Sequence, residues 1–304
     1  MKKEITVKEL VSDWWNSHCM NLAKSTQYGY RRYLDNHFLP HLGTHLVCEV
    51  RQNDIQLIIN RLSALGRSTK TQKNMVGILH SIFDYAVIND IISNNPVKHI
   101  SKSKTTEYEY YIYSQKEFEQ LLYTFNESRD IIPVLLGGVC GLRLSEVFGL
   151  KWSDINFEAC TVHIRRAAVA IGREVDIKPT TKTKAGNRII AVPEYMISII
   201  KEYYTDTNDW IYPSPQNKDI PENGHNFYQR YNRKIKRAGL PHTRFHDLRH
   251  FAATSFLDAG VPDKYAAAYL GHSDTNMTRK YQHIRQQVIP YPMMSDNVIK
   301  IVNC

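Results

Sequence analysis

His246-Asp247-Leu248-Arg249-His250, then Leu270-Gly271-His272, then Tyr281 nine residues beyond His272, form the stretch that decides how this chain is read. Residues three apart share one helix face, so His246 and Arg249 can point into a single pocket. His272 follows Leu270-Gly271, which has the form of a helix C-cap and turn. Tyr281 sits in a short stretch of helical character, Asn276 to His283. No acidic pair and no Cys/His metal-ligand spacing accompanies the set. Cationic side chains around a tyrosine hydroxyl suit phosphoryl transfer with tyrosine as the nucleophile.

Working outward, 304 residues suffice for two domains with separate cores. No stretch of 18 apolar residues occurs, and Met1-Lys-Lys-Glu-Ile lacks a signal-peptide core, so no membrane association is expected. Five cysteines without close spacing (Cys19, Cys48, Cys140, Cys160, Cys304) argue against a disulfide scaffold and fit a reducing cytoplasm. The net charge of +9 points to a polyanionic partner. Residues 1–104 hold fourteen Lys and Arg against eight Asp and Glu, so the first third is the more basic.

The expected fold class is mainly α with a small antiparallel β-sheet (α+β). Thr6-Val-Lys-Glu9 reads as a capping box opening a first helix with Leu10, Val11, Trp14 and Trp15 as its apolar positions. A second helix is expected from about 24 to 39, stopping at Pro40, and a third from about 53 to 65, ending at Gly66. Thr69-Lys-Thr-Gln72 is expected to cap a fourth, with Met75, Ile78, Leu79, Ile82, Phe83 and Ala86 at helical spacing. These make a helical bundle over 1–97, followed by a polar linker over 98–113. A second domain, 114–284, opens with the capping box Ser114-Gln-Lys-Glu117. Helices are expected near 115–126, 130–140, 144–150, 194–204, 226–238, 246–259 and 262–270. Strands are expected at 160–166 and 188–192, with a turn at 185–187.

Gly141-Leu-Arg143-Leu-Ser-Glu146 lies 103 residues before His246. With the C-terminal set it resembles the tyrosine recombinase (phage integrase) family, in which such boxes carry two arginines, two histidines and a tyrosine nucleophile in this order. The helical N-terminal segment is similar to that family's core-binding domain, so the resemblance covers nearly the whole chain. It implies Arg143, His246, Arg249, His272 and Tyr281 as catalytic residues, together with a lysine on a β-hairpin between the two boxes. Thr180-Thr-Lys182-Thr-Lys184 fills that place; Lys182 is the better match, and Lys184, two residues on, shares its strand face. The implied activity is site-specific DNA recombination through a 3′-phosphotyrosyl intermediate, for integration or excision of a phage or other mobile element. No cofactor is expected.

The chemistry asks for these residue types independently. A tyrosine hydroxyl with a pKa near ~10 is a weak nucleophile, and a phosphodiester repels anions. Two guanidiniums, Arg143 and Arg249, can hold the non-bridging oxygens and stabilise the charge of the transition state. Lys182 would protonate the leaving 5′-oxygen, His246 would assist Tyr281, and His272 would hydrogen-bond the phosphate. Glu146 is read as orienting its neighbours, and His250 as a packing residue. Since the tyrosyl ester keeps the bond energy, neither ATP nor a metal is needed.

Further basic residues are candidate DNA contacts. Arg31 and Arg32 alternate with tyrosines, Lys70 and Lys73 open a helix, Arg166 ends a strand, and Arg233 lies in a dense basic run from 230 to 237. The apolar tail over 285–304 is expected to dock on a neighbouring protomer, as the family's cyclic tetramer on two DNA sites implies. Accessory DNA-bending or excision factors would be further partners, and the nucleoid the expected location. The family's larger integrases carry an arm-site DNA-binding domain before the bundle, whereas this bundle begins almost at Met1. Competing readings are a type IB topoisomerase, a regulator with a vestigial site, and a two-carboxylate metal nuclease. The last finds no acidic cluster in the boxes.

Overall fold

The computed structural model describes residues 4–104, 110–179 and 186–271, and the chain divides into two units, 1–109 and 110–304. In the first unit, α1 (Val7–Trp14) opens with the capping box expected: Thr6 Oγ1 accepts from Glu9 N, and Glu9 Oε2 accepts from Thr6 N. Val7, Leu10, Val11 and Trp14 line its buried face. Burial of each such side chain contributes about 1.5–3 kcal/mol. A π-helical turn, Trp15–Cys19, continues α1.

The second expected helix is interrupted. Helix α2 (Lys24–Tyr33) passes through a π-helical turn, Leu34–Phe38, into α3 (Leu39–Leu42). Pro40 therefore does not end the helical run. It sits in the first turn of α3, where its missing N–H leaves no intrahelical bond unmade. Helix α4 (Gln52–Ala64) is followed by Gly66 at φ +67°, and α5 (Thr69–Ile88) buries the expected stripe. The cap of α5 is Ser68, one residue earlier than the sequence suggested, its Oγ accepting from Thr71 N. Thr69 is buried instead, donating to the carbonyls of Ser103 and Lys104, while Gln72 donates to Ser103 Oγ and accepts from Ser103 N.

The first helix of the second unit is α6 (Gln115–Phe125), capped by Ser114 and Glu117 as expected. Helix α7 (Ile131–Gly138) is buried at every residue and packs on α6, α8 (Leu144–Phe148), α9 (Glu194–Glu202) and α11 (Phe245–Asp258). A helix apolar all round belongs at the centre of its core, and α7 delivers Gly141 and Arg143 from there. Helices α10 (Gly224–Arg237) and α12 (Asp263–Leu270) complete the helical layer.

Among the described residues there are five strands, more than the segments named from the sequence. Strands β1 (Ile155–Asn156), β2 (Thr161–Ile164) and β5 (Arg188–Ala191) form an antiparallel sheet in the order β1-β2-β5, with Val162 opposite Ile190 and both buried. Strands β3 (Arg166–Ile171) and β4 (Glu174–Pro179) make a separate hairpin. That hairpin lies outside the expected strands, although Gly172, at φ +61°, supplies the left-handed residue that a two-residue turn requires. The fold is thus mainly helical with small antiparallel sheets.

Candidate active site

Arg143 occupies the N-cap of α8. Glu146 Oε2 accepts from the Arg143 backbone N–H at 2.9 Å, while Oε1 accepts from Arg143 Nη1 at 2.7 Å. One carboxylate thus ends the helix and aims the arginine. Arg143 Nη2 reaches the carbonyl of Gly271 at 3.3 Å. Gly271 itself, at φ +71°, is the left-handed residue that closes α12, the helix end and turn expected there. The turn that leads into His272 is therefore bonded to the first arginine.

Arg249 lies on α11 and is one of the largest fully enclosed side chains, 2% exposed. Its Nη1 donates to the Gly141 carbonyl at 2.6 Å. Gly141 has φ +65°, and a Cβ there would lie 2.3 Å from Leu270 Cδ2 and 3.6 Å from Arg249 Cγ. Glycine is thus demanded twice, by the backbone angle and by the close approach of α12. The motif glycine is the joint at which both arginine boxes and the end of α12 meet.

His246, in the first turn of α11, reaches solvent. Partial desolvation holds its pKa below the usual histidine value. The positive charges of Arg249, Arg143 and Arg244 push the same way, and Asp247 opposes them. Both arginine charges reach this ring, so His246, Arg143 and Arg249 share one electrostatic site. His250 stands edge-on to His246 at 5.1 Å and stacks on Tyr110 at 4.9 Å. Burial first, then the charge of His246, lowers His250 to about 4. Neutral at pH 7, His250 packs the His246 ring in place.

Asp247, fully enclosed, repeats the Glu146 arrangement: it accepts from the backbone N–H of Arg244 and from its guanidinium at 2.8 and 3.1 Å. Arg188 is a residue the sequence reading treated only as a strand position. It donates to both oxygens of Glu146 at 3.3 and 3.2 Å and to the Tyr269 carbonyl at 2.7 Å. Only its place after the Lys182/Lys184 stretch hinted at a role. Lys182, Lys184, His272 and Tyr281 lie outside the described residues. Among those described, no group of three or more His, Cys, Asp or Glu is arranged to hold a metal ion.

The predicted DNA contacts fall into different settings. Arg32 lines a cleft of about 240 Å³ with Tyr33, Asn36, His37, Arg67 and Thr71. Arg31 lies over the Trp15 ring at 4.0 Å. Lys70 and Lys73 are exposed in the first turns of α5, and Arg233 is exposed on α10. Arg166 is engaged internally, paired with buried Asp154 and donating to the Gly149 carbonyl. Within the basic run of α10, Arg230 is bound to Asp130 and Glu222, and Lys234 to Ser128.

Known proteins match along the whole of this frame. Residues 112–287 match the model of the phage integrase family, and residues 7–103 that of the phage integrase central domain. A XerC-like tyrosine recombinase of Caldanaerobacter subterraneus subsp. tengcongensis is 27% identical over 90% of this chain and 75% of its own length. The integrase of Mycobacterium phage L5 is 24% identical (91% and 75%), and the transposase of transposon Tn916 from Enterococcus faecalis 25% (92% and 74%). Among solved structures, the Tn1549 transposon integrase in complex with transposon right-end DNA superposes with a TM-score of 0.73 at 21% identity, covering 97% of this chain and 98% of that one. A lambda integrase tetramer bound to a Holliday junction gives 0.71 at 17% identity, covering 92% and 78%. The chain belongs to the phage integrase family. It is a tyrosine-type site-specific recombinase, an enzyme that breaks and rejoins DNA strands.

Proposed function

We propose that this chain serves the integration or excision of a phage or other mobile element, recombining duplex DNA at specific core sites. Tyr281 Oη attacks the scissile phosphate, forming a 3′-phosphotyrosyl ester and releasing a 5′-hydroxyl. Arg143 and Arg249 hold the non-bridging oxygens; His246, neutral at pH 7, takes the phenolic proton; His272 donates to the phosphate. Lys182, with Lys184 as the alternative, gives a proton to the departing 5′-oxygen. Attack of the partner strand's 5′-hydroxyl on the ester reverses each step and rejoins the DNA.

The observation that carries this reading is that Arg143, held by Glu146, and Arg249, held by the Gly141 carbonyl, both act on the His246 ring by their charge. In the same reading, residues 1–97 bind core-site DNA and 98–113 link them to the catalytic domain, 114–284. Residues 285–304 dock on a neighbouring protomer of a tetramer. Phage and transposon names among the relatives favour a mobile element over chromosome resolution. Arg31, Arg32, Lys70, Lys73 and Arg233 supply phosphate contacts, whereas the internal pairing of Arg166 leaves it the weakest candidate. Accessory bending or excision factors and a nucleoid location belong to this reading as well; no described helix is long and apolar enough to cross a membrane.

A duplex nicked just downstream of the cleavage site tests the chemistry, because the short fragment that carries the freed 5′-hydroxyl is lost and cannot religate. The wild-type chain should accumulate a covalent protein–DNA band in EDTA, and Tyr281→Phe should bind the duplex without forming one. Robust cleavage by that variant, or loss of cleavage on chelation, rules the proposal out.

A further inference from the structure

We propose that Arg188 is a positioning residue for strand cleavage: it is the buried counter-charge to Glu146 that leaves Arg143 its full positive charge for the DNA phosphate. The inference rests on the reading of Arg143 as a phosphate-binding residue. Its observations are independent of that reading.

One carboxylate serves two guanidiniums here. Glu146 is 3% exposed and Arg188 8%, whereas the side chain of Arg143 is 40% exposed. A buried carboxylate is costly unless it is paired and hydrogen-bonded, and Arg188 meets both oxygens of Glu146. The enclosed Arg188/Glu146 pair is therefore close to neutral by itself. The surplus charge of the trio lies on Arg143, the member that reaches solvent. Without Arg188, the same carboxylate would compensate Arg143, and the site would offer the phosphate a nearly neutral ion pair. Burial raises the Glu146 carboxyl. Arg188 first and Arg143 after it together more than offset that and hold it below the ordinary glutamate value.

Geometry gives Arg188 a second hold on the same site. Its Nε donates to the Tyr269 carbonyl at 2.7 Å, and Arg143 Nη2 donates to the Gly271 carbonyl. Two arginines, with Glu146 between them, grip the last turn of α12 at positions two residues apart. Arg188 lies on β5 opposite Ile164, so the sheet fixes its backbone. Strand, helix start and helix end are thus joined through one buried side chain.

A fold-holding ion pair would show the same contacts, so the test must separate charge from scaffold. The experiment is single-turnover cleavage of the nicked core-site duplex by the full chain, with duplex affinity and melting temperature measured on each variant. Arg188→Gln should cleave about 100-fold slower than wild type, with affinity changed far less. Arg188→Lys, which keeps the charge, should recover much of that rate. The double variant Glu146→Gln/Arg188→Gln removes both buried charges and restores the surplus on Arg143, so it should cleave within about tenfold of wild type. This arm stands even where Arg188→Gln alone does not fold. A double variant no faster than Arg188→Gln, or slowed about 100-fold where that single variant does not fold, overturns the inference. Arg143→Ala serves as the control. Normal cleavage by it overturns the site reading and this inference together, whereas a dead Arg143→Ala beside an unrescued double overturns this inference alone.

Discussion

The two units treat charge in opposite ways. Among the described residues the N-terminal bundle buries no carboxylate; its enclosed polar groups are Thr69, Gln72 and Asn95. Its cations, including Arg32, Lys70 and Lys73, lie in solvent. The catalytic unit buries Asp130, Glu146, Asp154, Glu222 and Asp247, and each of them holds at least one arginine. Solvated cations suit a polyanion met along its length, where mobile charge supplies affinity and is screened by salt. Chemistry at one phosphorus atom needs guanidiniums fixed before the substrate arrives, because only preorganised charge lowers the barrier.

The strongest way to break the contrast is to remove a fixed cation. Arg249→Ala or Arg143→Ala should each slow single-turnover cleavage by roughly a hundredfold or more while duplex binding survives. Equal loss of binding and cleavage would make these cations no different from those of the bundle. Arg249→Ala will also destabilise, since it empties a space enclosed on every side, so its melting temperature belongs beside the rate.

Next in size is Gly141→Ala. The added methyl meets Leu270 at 2.3 Å on a backbone at φ +65°, and we expect about 2–4 kcal/mol lost from the catalytic unit alone. A melting curve with an unshifted bundle transition and a lowered catalytic one would sharpen the division. Arg32→Ala should act more weakly. Affinity should fall by a similar factor on every sequence, the slope of log K against log salt should drop by roughly 1, and cleavage of bound DNA should keep its rate.

A further effect lies on the acid side. His250 titrates near 4 in the fold against an ordinary 6.5, so below that higher value the unfolded chain takes up a proton that the folded one refuses. Stability of the catalytic unit should fall as pH drops from 6.5 toward 4, by up to about 1.4 kcal/mol per pH unit from this group. His250→Gln should flatten that slope, and an unchanged one would remove His250 as its source. Cleavage should also decline as acid protonates His246, whose lowered pKa keeps the neutral ring available down to more acidic pH than usual.

Legibility in the sequence followed the range of the interactions. Helices with a local cap and a one-face stripe, such as α1 and α6, could be read directly, because capping and periodicity are written within a few residues. The Gly271 turn was legible because glycine is the residue that most readily takes the left-handed angle closing a helix. Pro40 misled because it falls in the first turn of α3, where its missing N–H breaks no helix bond. The cap of α5 shifted to Ser68 because Thr69 bonds a segment more than thirty residues away. Arg188 stayed hidden for the same reason: its partners, Glu146 and Tyr269, are 42 and 81 positions distant. Arg166 and Arg230 looked like free cations until buried carboxylates were found against them.

The site at which DNA becomes attached is the most direct test. After reaction with the nicked substrate, nuclease trimming and trypsin should leave a nucleotide remnant on the peptide Tyr281–Arg285, joined through the tyrosine oxygen. A remnant on any other peptide, or full cleavage without an adduct, would contradict it.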